Sequence, residues 1–291
     1  MKIDKNTKIL IIGLGLIGGS YAKALSKKGF FVGAVDIDKS AIDYALKNDI
    51  IKSGTVSPNP EYIGQFDLII FAVYPDAIIG WIDKNQQFIK KNAFITDVTG
   101  IKCPFIHKVQ EMLRSDLEFI GAHPMAGRES SGIENASEEI FKGANYIITP
   151  TLKNTQNAKD LCRELGVLLG FSNISVLTPE KHDEIIGFLS QLTHCIAVSL
   201  MTCRDMNGMS EYSGDSFRDL TRIAKINDEM WSELFLLNKD KLLSQMDLFK
   251  SAFSRLYDLI LKDDRDGIRD IMKKSTLNRE LFDKTKGTDL I

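Results

Sequence analysis

The fold class this sequence predicts is α/β: an N-terminal, doubly wound, mostly parallel sheet over residues 1–175, then an all-helical domain over 176–291. Three observations predict it. Short apolar runs alternate with helix-like segments through the first half of the chain. A glycine-rich turn stands directly after the first of those runs. Beyond Glu180 no convincing strand remains, only long stretches with helical periodicity.

Taken in order, the strand candidates are "KILIIG" (8–13), "FFVGAVD" (30–36), "DLIIFAV" (67–73), "AFITDV" (93–98), "LEFIGAH" (117–123), "NYIITP" (145–150) and "NISVLTP" (173–179). Near-continuous runs of Val, Ile, Leu and Phe suit strands covered on both faces. Between several of them lie helix-like segments, among them "IGGSYAKALSKKG", "SAIDYALKND" and "IKCPFIHKVQEML". Pro179 followed by Glu180 starts the helical half, because proline is tolerated in a first helical turn. The long runs expected there cover 180–206, 228–264 and 266–285. They carry Leu, Ile, Met and Phe on more than one face, which predicts a second buried face and hence a homodimer, the alternative being a compact monomeric helical domain.

Bulk properties limit the function classes. With 37 Lys plus Arg against 39 Asp plus Glu, the net charge is −2, so neither nucleic acid nor a membrane surface is an expected partner. No apolar run is read as reaching the length of a membrane span. Cys103, Cys162, Cys195 and Cys203 show neither a Cys-x-x-Cys pair nor Cys/His metal spacing. Without a recognisable secretory signal, they are expected to be reduced thiols in a cytoplasmic protein that binds no metal.

"GLGLIGGS" (13–20) follows the first strand and opens the first helix. Gly13, Gly15 and Gly18 form G-x-G-x-x-G: one glycine for a tight turn, one for close approach of a pyrophosphate, one for helix-on-strand packing. The helix N-terminus then offers unpaired N–H groups to phosphates. Asp36 ends the next strand about 20 residues on, where an acidic side chain accepts hydrogen bonds from a ribose 2′-hydroxyl and repels a 2′-phosphate. Together these predict a Rossmann-type domain that prefers NAD to NADP. Asp36 also suits a plain turn, and Asp38 could share its role. Gly13, Gly15, Leu16, Ile17, Gly18, Asp36 and Val73 make up the expected cofactor-binding set.

Three further clusters then stand out. "TDVTGIK" (96–102) ends a strand, where ligands of open α/β sheets gather. "FIGAHPMAGRESSG" (119–132) holds His123 against Pro124 among small residues, which leaves room around the imidazole. The helical half contributes "SQLTH" (190–194) and "SFRDLTRIAKINDEMW" (216–231). In the latter, the Arg222 guanidinium could grip a carboxylate bidentately or pair with Asp219 or Asp228.

These motifs resemble those of the prephenate dehydrogenases and the related arogenate dehydrogenases, from the first strand to about residue 250. The resemblance implies a Rossmann domain joined to a helical dimerisation domain. It also implies NAD-linked oxidative decarboxylation, of prephenate to 4-hydroxyphenylpyruvate or of arogenate to tyrosine, in tyrosine biosynthesis. His123 would be the catalytic base, accepting the proton of the ring 4-hydroxyl as hydride leaves C4 and CO2 leaves C1. Arg222 would bind a substrate carboxylate. His194 and Ser190 would line the pocket, Trp231 would pack beside it, and Glu129 would stand near its mouth. Two departures are visible. Gly100 occupies a position where family members often carry a serine that orients the histidine or the cofactor, with Thr99 as the nearest substitute. Asp215 interrupts a glycine-rich run; it either points away from the anionic substrate or meets a substrate amine, which would favour arogenate. A fused chorismate mutase and a C-terminal regulatory domain, present in some relatives, are not expected here. The rivals are a β-hydroxyacid dehydrogenase, whose catalytic lysine motif is missing, and a non-catalytic NAD-binding regulator.

Overall fold

The computed structural model describes residues 2–128 and 130–283. Eight strands form one sheet: β1 Lys8–Ile12, β2 Phe31–Val35, β3 Ser53–Thr55, β4 Leu68–Phe71, β5 Phe94–Asp97, β6 Glu118–Met125, β7 Asn145–Thr149 and β8 Asn173–Val176. Their order is β3-β2-β1-β4-β5-β6-β7-β8. All pairings are parallel except β6 with β7, which is antiparallel. The helices are α1 Leu16–Lys27, α2 Lys39–Lys47, α3 Pro60–Ile63, α4 Pro75–Asn85, α5 Ile106–Met112, α6 Gln156–Leu169, α7 Pro179–Ile186, α8 Thr193–Thr202, α9 Asp215–Thr221, α10 Asp228–Leu237, α11 Lys239–Leu261 and α12 Arg265–Glu280.

The period of two in β1 divides its side chains between two cores. Ile9 and Ile11 pack with Tyr21, Leu25, Val32 and Leu68 on one face. Leu10 and Ile12 pack with Ile69, Phe71, Ile78 and Ile95 on the other. Every residue of the central strands β4 and β5 is buried, the mark of a parallel sheet covered on both sides. The chain order reverses at β1 and β4, so a crevice opens beyond their C-terminal ends.

Each expected strand is present. β3 is the one that the apolar pattern missed, because "SGT" carries no large apolar side chain. It pairs with β2 at the sheet edge, and Ile42 of α2 packs closely over its Gly54. Of the helix expected around residues 101–113, only α5 forms; the residues before it make side-chain contacts described below. α6 is bounded by a Thr155 cap and by Gly170 in the left-handed conformation, as helix-end chemistry favours.

Past Val176 the described residues contain helices and turns but no strand. Thr178 caps α7 by accepting from the Lys181 N–H, with Pro179 at the first helical position. α7 continues through a π-helical turn, Gly187–Leu192, into α8. This run, Pro179–Thr202, corrects one expectation. Its 24 residues include a window of mean hydropathy 1.6, long and apolar enough by length and composition to cross a membrane. Ser190, Gln191, Thr193 and His194 break its apolar pattern, so it does not read as one stretch. Its first turns carry buried His182 and Asp183, which argues for a protein-facing role.

The helix expected over 228–264 is divided at Asn238 into α10 and α11. Residues through Lys239 form one compact unit, and those from Asp240 onward a second. The second consists of α11 and α12. All four cysteines are free thiols, and burial pushes the Cys162 thiol up to about 12.

Candidate active site

The site begins at the end of β5. Asp97 is fully buried there and accepts from the Ala122 N–H at 3.1 Å, the Thr99 N–H at 2.9 Å and Lys102 Nζ at 2.5 Å. Lys102 is equally buried, and its ammonium also donates to the Ala122 carbonyl at 2.6 Å. Burial pulls the Lys102 pKa down, against the opposing pull of Asp97. This ion pair ties the β5–α5 loop to β6, the strand that carries His123.

Thr99, the nearest substitute for the serine missing at Gly100 and a candidate for the substrate pocket, is 7% exposed and turned inward. Its hydroxyl meets Asp97 Oδ2 at 2.5 Å, the Ile101 carbonyl at 2.8 Å and Lys102 Nζ at 3.1 Å. A hydroxyl engaged on three sides supports the loop and cannot stand in for the serine absent at Gly100. A Cβ placed on Gly100 would lie 3.7 Å from His123 Nε2, an ordinary contact, so Gly100 stands directly beside that nitrogen without a side chain of its own.

His123 is half-buried in β6, and its Nδ1 lies 2.9 Å from His182 Nε2. His182 Nδ1 in turn lies 2.6 Å from Asp183 Oδ1. The Asp183 carboxylate accepts from the Lys102 N–H at 2.9 Å and the Cys103 N–H at 2.8 Å. Its backbone carbonyl accepts from Asn238 Nδ2 at 2.9 Å, and the same amide reaches Gln191 Oε1 at 2.7 Å. Gln191 donates to the Leu234 carbonyl. The kink at Asn238 thus fastens α10 to α7 and to the π turn. Burial, then the nearby His182 and Lys102, hold the His123 pKa well below the usual 6.5. His182 is also lowered, chiefly by burial, although Asp183 works against the shift.

Sequence reasoning missed His182, Asp183, Gln191 and Asn238. "EKHDEII" reads as a solvated helix start, and only the packing of α7 on the β5–α5 loop buries its His-Asp pair.

The other candidate residues gather along the helical run. The π turn carries Ser190, whose carbonyl accepts from His194 Nδ1 at 2.9 Å. Such a turn often marks a functional position in a helix. The His194 ring stacks on Trp231 of α10 with centroids 3.7 Å apart, and burial lowers its pKa. Arg222 opens a 3-10 turn, Arg222–Ala224, that packs against α8. Asp215 is exposed and bound to Arg218 at 2.5 Å, so its carboxylate is already matched by a cation. Glu129 lies outside the described residues.

The glycine turn has its expected geometry. Gly13 has φ +96°, and a Cβ there would meet the Ala72 carbonyl at 2.4 Å and Val73 Cγ1 at 2.7 Å. A Cβ on Gly18 would come within 1.9 Å of the Gly13 carbonyl, whereas one on Gly15, the N-cap of α1, would meet nothing within 4 Å. Leu16 and Ile17 open α1. Asp36 accepts from the Leu14 N–H at 2.5 Å and the Asp38 N–H at 2.8 Å, while Asp38 caps α2.

A glycine turn at the topological switch point and an acid after β2 define a Rossmann-type dinucleotide-binding domain. The family model described as prephenate dehydrogenase, nucleotide-binding domain, matches residues 21–169, and that described as prephenate dehydrogenase, dimerization domain, matches 178–274. The chain belongs to the prephenate dehydrogenase family. It is 30% identical over 269 residues to the prephenate dehydrogenase of Bacillus subtilis, covering 89% of this chain and 72% of that protein. It is 28% identical over 279 residues to a cyclohexadienyl dehydrogenase of Zymomonas mobilis, covering 92% and 93%. Among solved structures, prephenate dehydrogenase from Aquifex aeolicus with hydroxyphenyl propionate and NAD+ superposes with a TM-score of 0.88 at 27% identity, covering 97% of this chain and 100% of that one.

Proposed function

We propose that this chain oxidatively decarboxylates prephenate to 4-hydroxyphenylpyruvate with NAD as oxidant, and that His123 is its general base. The observation that carries the reading is the setting of the His123 ring. One nitrogen is fixed by His182 and the other stands clear over Gly100. A base needs a lone pair aimed at open space, and burial keeps this imidazole neutral.

The residues fit the cofactor. Gly15 leaves open space where a pyrophosphate would approach, at the N-terminus of α1. Asp36 is fixed by two backbone N–H groups, with oxygen lone pairs to spare for a ribose hydroxyl. Its charge opposes a 2′-phosphate, which favours NAD over NADP. When bound, NAD supplies the two-electron acceptor for the oxidation. His123 Nε2 would take the proton of the ring hydroxyl as the C4 hydrogen leaves with its bonding pair, the two electrons that the oxidation removes. The C1 carboxylate leaves as CO2 and its bonding pair enters the ring, so aromatisation drives the reaction. Arg222 would bind the remaining carboxylate, with Ser190, His194 and Trp231 forming the helical wall. Glu129 would stand at the mouth.

Asp215 is paired with Arg218, so it offers no ready partner for a substrate amine, and prephenate is favoured over arogenate. We further infer a cytoplasmic homodimer assembled through the helical domain, in keeping with the description of the family model matching 178–274.

Initial rates of NADH formation with prephenate and with arogenate, each under NAD and NADP, test this reading. Expected is turnover of prephenate with NAD, falling about 10²–10⁴-fold in His123→Asn. Absence of prephenate turnover, or undiminished turnover in the variant, overturns it.

A further inference from the structure

We propose that His182 and Asp183 are positioning residues that fix the tautomer of His123 and balance the charge it acquires on taking a proton. This rests on His123 being the base, as argued above, and deepens that role.

Hydrogen-bond chemistry sets the direction of the chain. The Asp183 carboxylate only accepts, and it is already held by the Lys102 and Cys103 N–H groups. His182 Nδ1 must therefore carry the proton of the 2.6 Å bond. In a neutral ring the Nε2 of His182 then has only a lone pair. At 2.9 Å it can only accept, so the proton sits on His123 Nδ1. That leaves the lone pair of His123 on Nε2, the nitrogen facing the space at Gly100. The opposite tautomer would present an N–H to a substrate hydroxyl and could take nothing from it.

The charged groups around the pair fit this assignment. From the end of β5 comes Asp97 and from the loop after it Lys102, which neutralise each other at 2.5 Å. Cys103 contributes its backbone N–H, and from α7 come His182 and Asp183 themselves. Asn238, a neutral amide, holds the Asp183 carbonyl. Among the described residues, Asp183 is thus the carboxylate bonded to the histidine chain. When His123 accepts a proton, its Nδ1–H bond to His182 persists, and the negative charge on Asp183 stands two bonds away to offset the imidazolium. No proton has to leave His123 for this to work. In the Ser-His-Asp arrangement of hydrolases, loss of the orienting carboxylate costs about 10⁴-fold in turnover through the wrong tautomer. One further link intervenes here, so a smaller loss of about 10²-fold is expected.

The test combines tautomer and rate. Long-range ¹⁵N NMR of histidine-labelled protein without substrate, with His123→Asn for assignment, reads the protonated nitrogen directly. The expected wild-type pattern is protonated Nδ1 and bare Nε2 on His123; a protonated Nε2 overturns the proposal whatever the enzyme turns over. His182→Gln keeps one acceptor and one donor and should retain both the tautomer and most of kcat/KM. His182→Leu should mix the tautomers and lose about 10²-fold in kcat/KM, with the KM for NAD unchanged. Asp183→Asn should move the acidic limb of the kcat/KM profile to lower pH, because the imidazolium loses its counter-charge. If wild type turns over prephenate while His182→Leu stays within about threefold of it, the positioning role falls and the assigned reaction stands. If wild type fails to turn over prephenate, the assigned reaction falls, and the NMR pattern still decides the tautomer.

Discussion

His123 sits among groups that disfavour its charged form: burial first, then His182 and Lys102. Two consequences follow from that lowered pKa. The base proposed here works deprotonated, so kcat/KM for prephenate should hold steady below the ordinary histidine value of 6.5 and fall only further into acid. For stability, the unfolded chain takes up protons on His123 and His182 near 6.5 while the folded chain resists. The folded state is therefore at full advantage above 6.5 and loses ground as pH drops from there towards the folded pKa values. A pH series of thermal unfolding should show Tm declining below 6.5, with a shallower decline in His123→Asn; equal slopes in both proteins would refute the assignment. His123 was legible in the sequence because "GAHPMAG" surrounds it with small residues. His182 was not, since its partner lies 59 positions away in the chain.

At the scale of elements, the β1–α1 turn and the β5–α5 loop bring the site together. Gly18→Ala would drive a methyl group to 1.9 Å from the Gly13 carbonyl, so α1 must lift away from β1. Expected are a loss of about 1–3 kcal/mol in stability and at least tenfold weaker NAD binding, measured by denaturant unfolding and by fluorescence titration. The β5–α5 loop depends on Lys102. Lys102→Met strands Asp97 as a buried, unpaired carboxylate at a cost of about 3–5 kcal/mol. Removing that ammonium also relieves His123 of a positive neighbour, so the acidic limb of the rate profile should move upward in pH. A stable variant with an unmoved limb would separate Lys102 from the site. The loop motif "TDVTGIK" stood out in the sequence, but its residues divided their labour differently from the expectation. Thr99 serves the ion pair, and the Lys102 and Cys103 backbone N–H groups serve Asp183.

For the whole molecule, the unit formed by α11 and α12 leaves Phe249, Phe253, Tyr257 and Ile260 substantially exposed. Their spacing along α11 repeats at four, four and three residues, which places them on one helical stripe. An exposed apolar stripe of that kind marks a protein–protein surface, in keeping with a dimerization domain. Phe253→Glu combined with Tyr257→Glu should convert the protein from dimer to monomer in sedimentation velocity. A monomeric wild type, or a variant that remains dimeric, would remove α11 from the interface.

By itself the sequence determined the alternation of the larger strands with helices, the nucleotide turn and the candidacy of His123, because each is written locally: a period of two or 3.6, three glycines at fixed spacing, a histidine within a recognisable motif. The edge strand β3, the division of the long helix at Asn238, the inward turn of Thr99 and the His123–His182–Asp183 chain were decided only by tertiary structure. Each depends on a partner distant in sequence or on burial conferred by another element. A hydrogen bond between side chains 59 residues apart leaves no periodic trace in the chain that makes it.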